Sequence, residues 1–333
     1  YFDNAATAQR PQTVIDKWTG LAIGANANIH RAVHKLAVDA TDEYESTRDA
    51  VKEYINAAAR EEIVFTSGTT GSINLVAFSF GETFVNKGDE IIVSESEHHS
   101  NIVPWQMLCQ RKGAVLRVLH VDEDGHLNLE ELKSLLNPKT RIVAVTQISN
   151  VLGILNPVKE IVSVCHSAGC PVLIDGAQGM VHEGVDVQDV DCDFYAFSGH
   201  KLYAATGTGV LYGKRKWLDQ MVPYQGGGEM IATVRFSGTT YAPLPEKFEA
   251  GTQNINAIPT LEPAIEMLKL MKDKELLNAQ EAVSQYLLHA LTSNPRVRLY
   301  GVPRGTETKI PLFSFSVEGA HHEDLALILV LWM

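Results

Sequence analysis

The chain has 333 residues, 45% of them hydrophobic and 20% charged. That is the make-up of a globular enzyme with a sizeable core and one or two domains. Twenty-eight Lys and Arg against 40 Asp and Glu give a net charge of −12 with no basic block. This argues against nucleic acid or an anionic membrane as a partner.

The opening Tyr1-Phe2-Asp3-Asn4 reads as folded protein, not as a signal peptide. It lacks an initial Met, so a native N-terminal piece is expected to precede it. From about residue 61, short apolar strands alternate with helical stretches. Strands are expected at 62–65, 90–94, 115–121, 141–147, 171–175 and 193–198. Residues 209–213 read as one more, which can run antiparallel. Helices are expected after Thr70 and over 105–111, 129–136 and 158–168. This alternation predicts an α/β fold with a mostly parallel sheet covered on both faces. No apolar run is long enough to span a bilayer. After Gly226-Gly227-Gly228 the pattern changes. Few helical signals occur up to Asn256, then helices are expected over about 258–272 and 276–291. Residues 297–300 and 312–317 are candidate strands of a smaller α+β C-terminal domain.

Ligands of such sheets bind outside the carboxyl ends of the strands. Residues 66–70, His98, Asn150, 175–178 and 198–201 all fall there. Ser67-Gly68-Thr69-Thr70-Gly71 joins the first strand to its helix. Glycines let a backbone approach an anion, and free amides at a helix start bind phosphate. The Thr70 hydroxyl can add a bond. The same pentapeptide also describes an ordinary capped loop. In Glu97-His98-His99-Ser100-Asn101 the adjacent imidazoles diverge and no third ligand is near, so no metal is expected. His98 at a strand end can instead stack on a ring and move protons, leaving His99 structural.

Residues 171–175 form a buried strand ending in the Asp175 carboxylate, followed by Gly-Ala-Gln178. A second apolar run, Phe194-Tyr-Ala-Phe197, leads into Ser198-Gly-His-Lys201. A lysine placed just after a buried strand loses solvation, runs with a lowered pKa and can form a Schiff base with an aldehyde. Taken alone, Lys201 is equally a surface lysine and Asp175 a strand-end turn residue. Together they fit pyridoxal 5'-phosphate (PLP), which needs a lysine for its aldehyde and an acid for its pyridine nitrogen. Ser198 and His200 can complete the phosphate cradle. Cys109, Cys165, Cys170 and Cys192 make no CxxC pair and no metal-ligand spacing. They read as small buried hydrophobes of a reducing compartment, here the cytoplasm.

These residues sit in segments that resemble the SufS/CsdA-type cysteine desulfurases of the class V aminotransferase group, whose relatives include selenocysteine lyases. The matching segments are Asp3-Asn-Ala-Ala-Thr7, Asn26-Ala-Asn-Ile-His-Arg31, residues 66–70 and Glu97-His-His-Ser-Asn-Ile-Val-Pro-Trp-Gln106. They continue with Gln147-Ile-Ser-Asn-Val-Leu-Gly153, Asp175-Gly-Ala-Gln178, Phe197-Ser-Gly-His-Lys201, Gln225-Gly-Gly-Gly-Glu-Met-Ile231 and Phe248-Glu-Ala-Gly-Thr252.

The resemblance implies a type I PLP-dependent aminotransferase fold with a seven-stranded sheet. Residues 1–15 would be a segment associated with the small domain, 16–255 the large PLP-binding domain and 256–333 the small domain, incomplete here. It implies that Lys201 holds PLP and moves protons, that Asp175 pairs with the ring nitrogen, and that His98 stacks on the ring. Gln178 and Asn150 would bond the phenolic oxygen or the substrate. Thr69, Thr70, Ser198 and His200 would bind phosphate. Thr252 would reach the phosphate of the other subunit of a homodimer, and His30 and Arg31 would lie near the substrate entrance. The implied reaction takes L-cysteine, or L-selenocysteine, to alanine and passes sulfur through an enzyme persulfide to an acceptor of SufE/SufU type for iron–sulfur assembly. A selenocysteine lyase, another class V lyase, a transaminase and a catalytically silent PLP-fold scaffold are the alternatives.

The sequence departs from the family at three places. Gly71 stands where relatives usually carry an acid, and Gln253 replaces a proline. After Val317-Glu-Gly-Ala-His-His322 the family's sulfur-accepting cysteine and substrate-binding arginine are not reached, so the native protein is expected to continue.

Overall fold

The computed structural model describes residues 3–31, 33–273, 276–301 and 309–331. Two helices that the strand–helix alternation does not include come first, α1 (Gln12–Gly24) and α2 (Lys35–Tyr54). On α2 the buried residues Ala37, Ala40, Tyr44, Thr47, Arg48 and Val51 recur at three- and four-residue steps. That spacing puts them on one helical face, yet half of them carry polar groups, so the stripe is hard to see in sequence.

The α/β core then runs β1 (Ile63–Thr66), α3 (Thr69–Phe84), β2 (Glu90–Ser94), α4 (Val103–Lys112), β3 (Val115–Leu119), α5 (Leu129–Leu135) and β4 (Thr140–Thr146). It continues with α6 (Val158–Ser167), β5 (Val172–Asp175), two short helices α7 (Gly179–His182) and α8 (Val187–Val190), β6 (Phe194–Ser198) and β7 (Gly209–Gly213). These seven strands form one sheet in the order β1-β7-β6-β5-β4-β2-β3. β7 runs antiparallel to both β1 and β6, while the other pairs are parallel. The expected seven-stranded, mostly parallel sheet is therefore observed, and residues 209–213 are its antiparallel member.

β5, β6 and β7 are buried along their whole length, because helices cover both faces. Side chains alternate between two hydrophobic clusters. Val143, Val145, Ile174, Tyr195 and Phe197 enter one, and Ile142, Ala144, Leu173, Phe194 and Ala196 the other.

Beyond the sheet come α9 (Arg215–Leu218) and a hairpin of β8 (Ile231–Arg235) and β9 (Gly238–Tyr241). The hairpin occupies the stretch read in sequence as poor in helical signals. Its strands are exposed almost throughout, so no hydrophobic alternation marks them. α10 (Leu261–Asp273) packs on α1 and α2. α11 (Leu276–Thr292), the antiparallel pair β10 (Val297–Tyr300) and β11 (Ser314–Val317), and α12 (His322–Leu331) complete the described chain.

A buried ion pair fastens α2 to β1 and to the segment after β9. The Arg48 guanidinium donates Nη1 to Glu249 Oε1 at 2.8 Å and Nη2 to Oε2 at 2.9 Å. The Phe65 amide donates to the same carboxylate at 2.7 Å, and Arg48 Nη1 also reaches the Ile63 carbonyl at 2.7 Å. Both side chains are almost completely buried. Removing one partner strands the other charge in the core, which costs about 3–5 kcal/mol. Glu249→Ala is accordingly expected to lower stability by about that amount in a urea titration. A stability equal to the parent's would contradict the pairing.

Candidate active site

The carboxyl ends of β4, β5 and β6 converge on one crevice. Asp175 ends β5, and the chain turns through Gly176, Ala177 and Gln178 into α7. This turn needs its glycines. A Cβ on Gly176 would overlap the Tyr195 ring, and one on Gly179 would overlap the Gln147 amide. Tyr195 and Gln147 are themselves joined, the tyrosine hydroxyl donating to Gln147 Oε1. The backbone on either side of the carboxylate is pinned by Gln147 N–H donating to the Asp175 carbonyl at 2.9 Å and Gly176 N–H to that of Ala196 at 2.8 Å.

The Asp175 side chain lies in a residue only 2% exposed. Its Oδ1 accepts from the Ala177 amide at 2.9 Å, and no other donor reaches the carboxyl among the described residues. Burial pushes its pKa up, against the pull of that amide and of Lys201 and His98. Lys201 follows β6 and is half-buried. Its ammonium has no hydrogen-bond partner among the described residues. Burial lowers its pKa, with Asp175 opposing. This is the direction expected from its place behind a buried strand. His98 accepts the Ser100 amide on Nδ1 at 3.1 Å. Burial and then the charge of Lys201 lower its pKa. The same two causes act on His200, which also feels Arg10.

Gly68 precedes α3 with φ 144°, and a Cβ there would come within 3.3 Å of Ser198 Oγ. The Thr69 amide donates to Ser198 Oγ at 2.7 Å, and the two hydroxyls are 2.8 Å apart. The loop of the first strand and the turn before Lys201 are thus joined. The amides of Thr70 and Gly71 belong to the first turn of α3 and have no intrahelical acceptor. Thr70 itself is exposed.

Gln178 is buried and donates Nε2 to the Ala5 carbonyl at 2.8 Å, while the Ala8 amide donates to the His200 carbonyl at 3.0 Å. The N-terminal segment therefore crosses the crevice from Gln178 to His200. Asn150 is half-buried in the turn after β4. Its amide makes no hydrogen bond among the described residues.

His98, Asp175 and Lys201 interact electrostatically, and Gln178, Ser198 and His200 flank them in sequence. Three further candidates are engaged elsewhere. His30, in the left-handed region at φ 64°, lies 3.2 Å from Glu45 through Nε2, which raises its pKa. Arg31 pairs with Glu229. Thr252 is exposed and lines a cavity of about 260 Å³ together with Ser67, Gly71 and Gln225.

Two titratable groups near the site escape the sequence reading. His182 on α7 is pushed down to about 4 by burial and by Lys201. Glu97 is fully buried and pushed up to about 8, by burial first and with Asp175 adding to it. Neither stands out in an apolar pattern, because Glu97 lies in the loop after β2 and His182 ends a four-residue helix. Among the described residues no group of three His, Cys, Asp or Glu side chains could hold a metal ion, and no helix is long and apolar enough to cross a membrane.

A buried carboxyl with one donor, an unpartnered lysine and open amides at a helix start suit a group with an aldehyde, a basic ring nitrogen and a phosphate. Set at the carboxyl ends of a mostly parallel sheet, they mark the candidate active site of an enzyme. The chain belongs to the aminotransferase class-V family, whose model matches residues 1–330. It is 49% identical over 302 residues to a cysteine desulfurase of Pectobacterium atrosepticum, covering 90% of this chain and 74% of that one. Among solved structures it resembles the cysteine desulfurase CsdA of Escherichia coli, with TM-score 0.88 and 38% identity over 99% of this chain and 81% of that one. A cysteine desulfurase from Thermococcus onnurineus NA1 matches with TM-score 0.91 and 36% identity, covering 99% of this chain and 82% of the other.

Gly176→Ala forces Tyr195 to move and is expected to lower stability by about 1–3 kcal/mol, the usual range for overpacking. The Gly176→Ala/Tyr195→Leu pair should recover part of that loss in the same denaturation measurement, and a purely additive pair would refute the clash.

Proposed function

We propose that the protein is a PLP-dependent L-cysteine desulfurase, which converts L-cysteine to L-alanine and passes the sulfur to a thiol acceptor. The observation that carries this is the meeting of Lys201 and Asp175 at the ends of adjacent strands, beside the Ser198–Thr69 cradle. The cysteine desulfurases to which the chain is similar support the choice of substrate. When bound, PLP supplies an electron sink for charge developing at the substrate's α-carbon.

The chain's own residues then have distinct tasks. Lys201 Nζ would hold the aldehyde carbon and, once freed, take the α-proton. Its lowered pKa helps because a neutral amine is both nucleophile and base. Asp175 would face the ring nitrogen. A cation there restores the carboxylate that burial otherwise disfavours. The amides of Thr70 and Gly71, with Thr69, Ser198 and His200, would hold the phosphate. His98 would cover the ring, and Gln178 and Asn150 would orient the phenolic oxygen or the substrate.

Burial raises the pKa of all four thiols, to about 12 for Cys165. They are buried and unpaired, in keeping with a reducing compartment such as the cytoplasm. A buried thiol held protonated is a poor nucleophile, so sulfur acceptance is assigned to none of them. A homodimer is the assembly that the family resemblance implies. Thr252, His30 and Arg31 would then serve a site from outside the Lys201 cluster, and an acceptor protein of SufE/SufU type would take the sulfur onward.

Lys201→Ala is expected to abolish covalent retention of added PLP after borohydride reduction and denaturation, and to lower alanine formation from cysteine by about 10²–10⁴-fold or more. Retained turnover would sink the assignment. Covalent capture of PLP by the cofactor-free protein requires the neutral amine. Its rate should therefore rise with pH through a midpoint below the ordinary lysine value of 10.5. A midpoint at or above 10.5 would contradict the site's electrostatics. Single Cys→Ala changes at Cys109, Cys165, Cys170 and Cys192 should each leave alanine formation within about threefold, as a small change in a core allows.

A further inference from the structure

Glu97 immediately precedes His98, but its side chain turns the other way, into the protein. Its carboxyl gathers three donors from three elements. Oε1 accepts the Thr146 amide of β4 at 2.8 Å and meets the Ser94 hydroxyl of β2. Oε2 accepts Nδ2 of Asn101 at 2.6 Å. Asn101 cannot turn over to offer its oxygen instead, because its Oδ1 already accepts the Trp105 indole N–H of α4 at 2.9 Å. Asn101 and Trp105 are fully buried.

Thr146 is the register partner of Asp175 in the β4–β5 ladder, and its hydroxyl contacts the Asp175 carbonyl at 3.3 Å. One buried carboxyl therefore ties the loop that carries His98 to the strand pair that carries Asp175. Burial and the nearby Asp175 favour the protonated form of Glu97. The network accepts that proton as well, since Ser94 Oγ can receive it while donating to Ser96 Oγ at 3.0 Å.

We propose that Glu97 is a positioning residue of the reaction: it sets the His98 ring against the Asp175 carboxylate, so that a ring bound between them is held on its face and at its nitrogen together. The proposal rests on the PLP reading above. Burial is what makes the contact decisive, since a donor in the core has no water to turn to. A shift of about 1 Å in a catalytic group can lower a rate by about 10²-fold.

Glu97→Gln keeps the shape but brings an NH₂ group against either Asn101 Nδ2 or the Thr146 amide. In the full-length, PLP-loaded protein this change is expected to shift the visible absorbance maximum or its pH midpoint. It should lower kcat for cysteine by about 10–100-fold and leave KM within about threefold. Trp105→Phe, which frees Asn101 to turn over, should restore part of the kcat in the Glu97→Gln background. Should Glu97→Gln fail to fold, Glu97→Asp carries the same test, with the carboxyl kept and its reach shortened.

A normal absorbance and pH profile together with an unchanged kcat would overturn the positioning role. So would a loss of kcat that follows loss of folded protein alone, with the spectrum and pH midpoint unmoved. A parent protein that shows no visible band with PLP would overturn the functional reading instead, so the two failures are distinguishable.

Discussion

The site depends on one costly placement, a carboxyl group at the end of a fully buried central strand. Asp175 is held there by neighbours that cannot easily move. Tyr195 fills the space beside Gly176, and Gln147 the space beside Gly179. A charge in that position is disfavoured by burial. It therefore favours a cationic partner, and the half-buried Lys201 is a cation whose charge it feels. The two groups push each other toward the charged state while burial pushes both toward the neutral one. Such a balance keeps both groups close to their neutral forms, as perturbed pairs at candidate functional sites are.

The surroundings carry the same bias. Burial first and Lys201 second lower the pKa of His98, His182 and His200, which favours their neutral forms. A neutral ring stacks and hydrogen-bonds without adding charge to the crevice. The candidate phosphate cradle is backbone in origin, a helix start opened by Gly68 and fixed to the lysine turn through Ser198 and Thr69.

Farther out, the recurring segments around residues 30, 229 and 249 form a second polar assembly. Arg48 joins Glu249 to Glu45, and Glu45 reaches His30 and Arg60. Arg31 meets Glu229, and the Gly251 amide donates to the Gly228 carbonyl at 3.0 Å. A buried ion pair of this kind is weak support for stability but strongly directional. It fixes residue 249 to α2 and β1 beside the cavity that Thr252 lines.

The seven strands of the sheet were legible in the sequence as short, largely apolar runs between helical stretches. That Lys201, Asp175 and the Thr69–Thr70 loop lie at strand ends was legible because each follows directly on an apolar run. The N-terminal helices and the exposed hairpin of residues 231–241 were not, since mixed polar faces and exposed strands erase the periodic signal. Nor did the sequence show that Glu97 turns away from its neighbour His98 to bind Asn101, Ser94 and Thr146, or that residues 5 and 8 cross the crevice. Local pattern determines which segments become strands and helices, because that choice is made by neighbours along the chain. Which carboxyl is buried, which amide stays open and which two loops share a hydrogen bond are decided only when distant segments pack, because burial and partnership are properties of the assembled core.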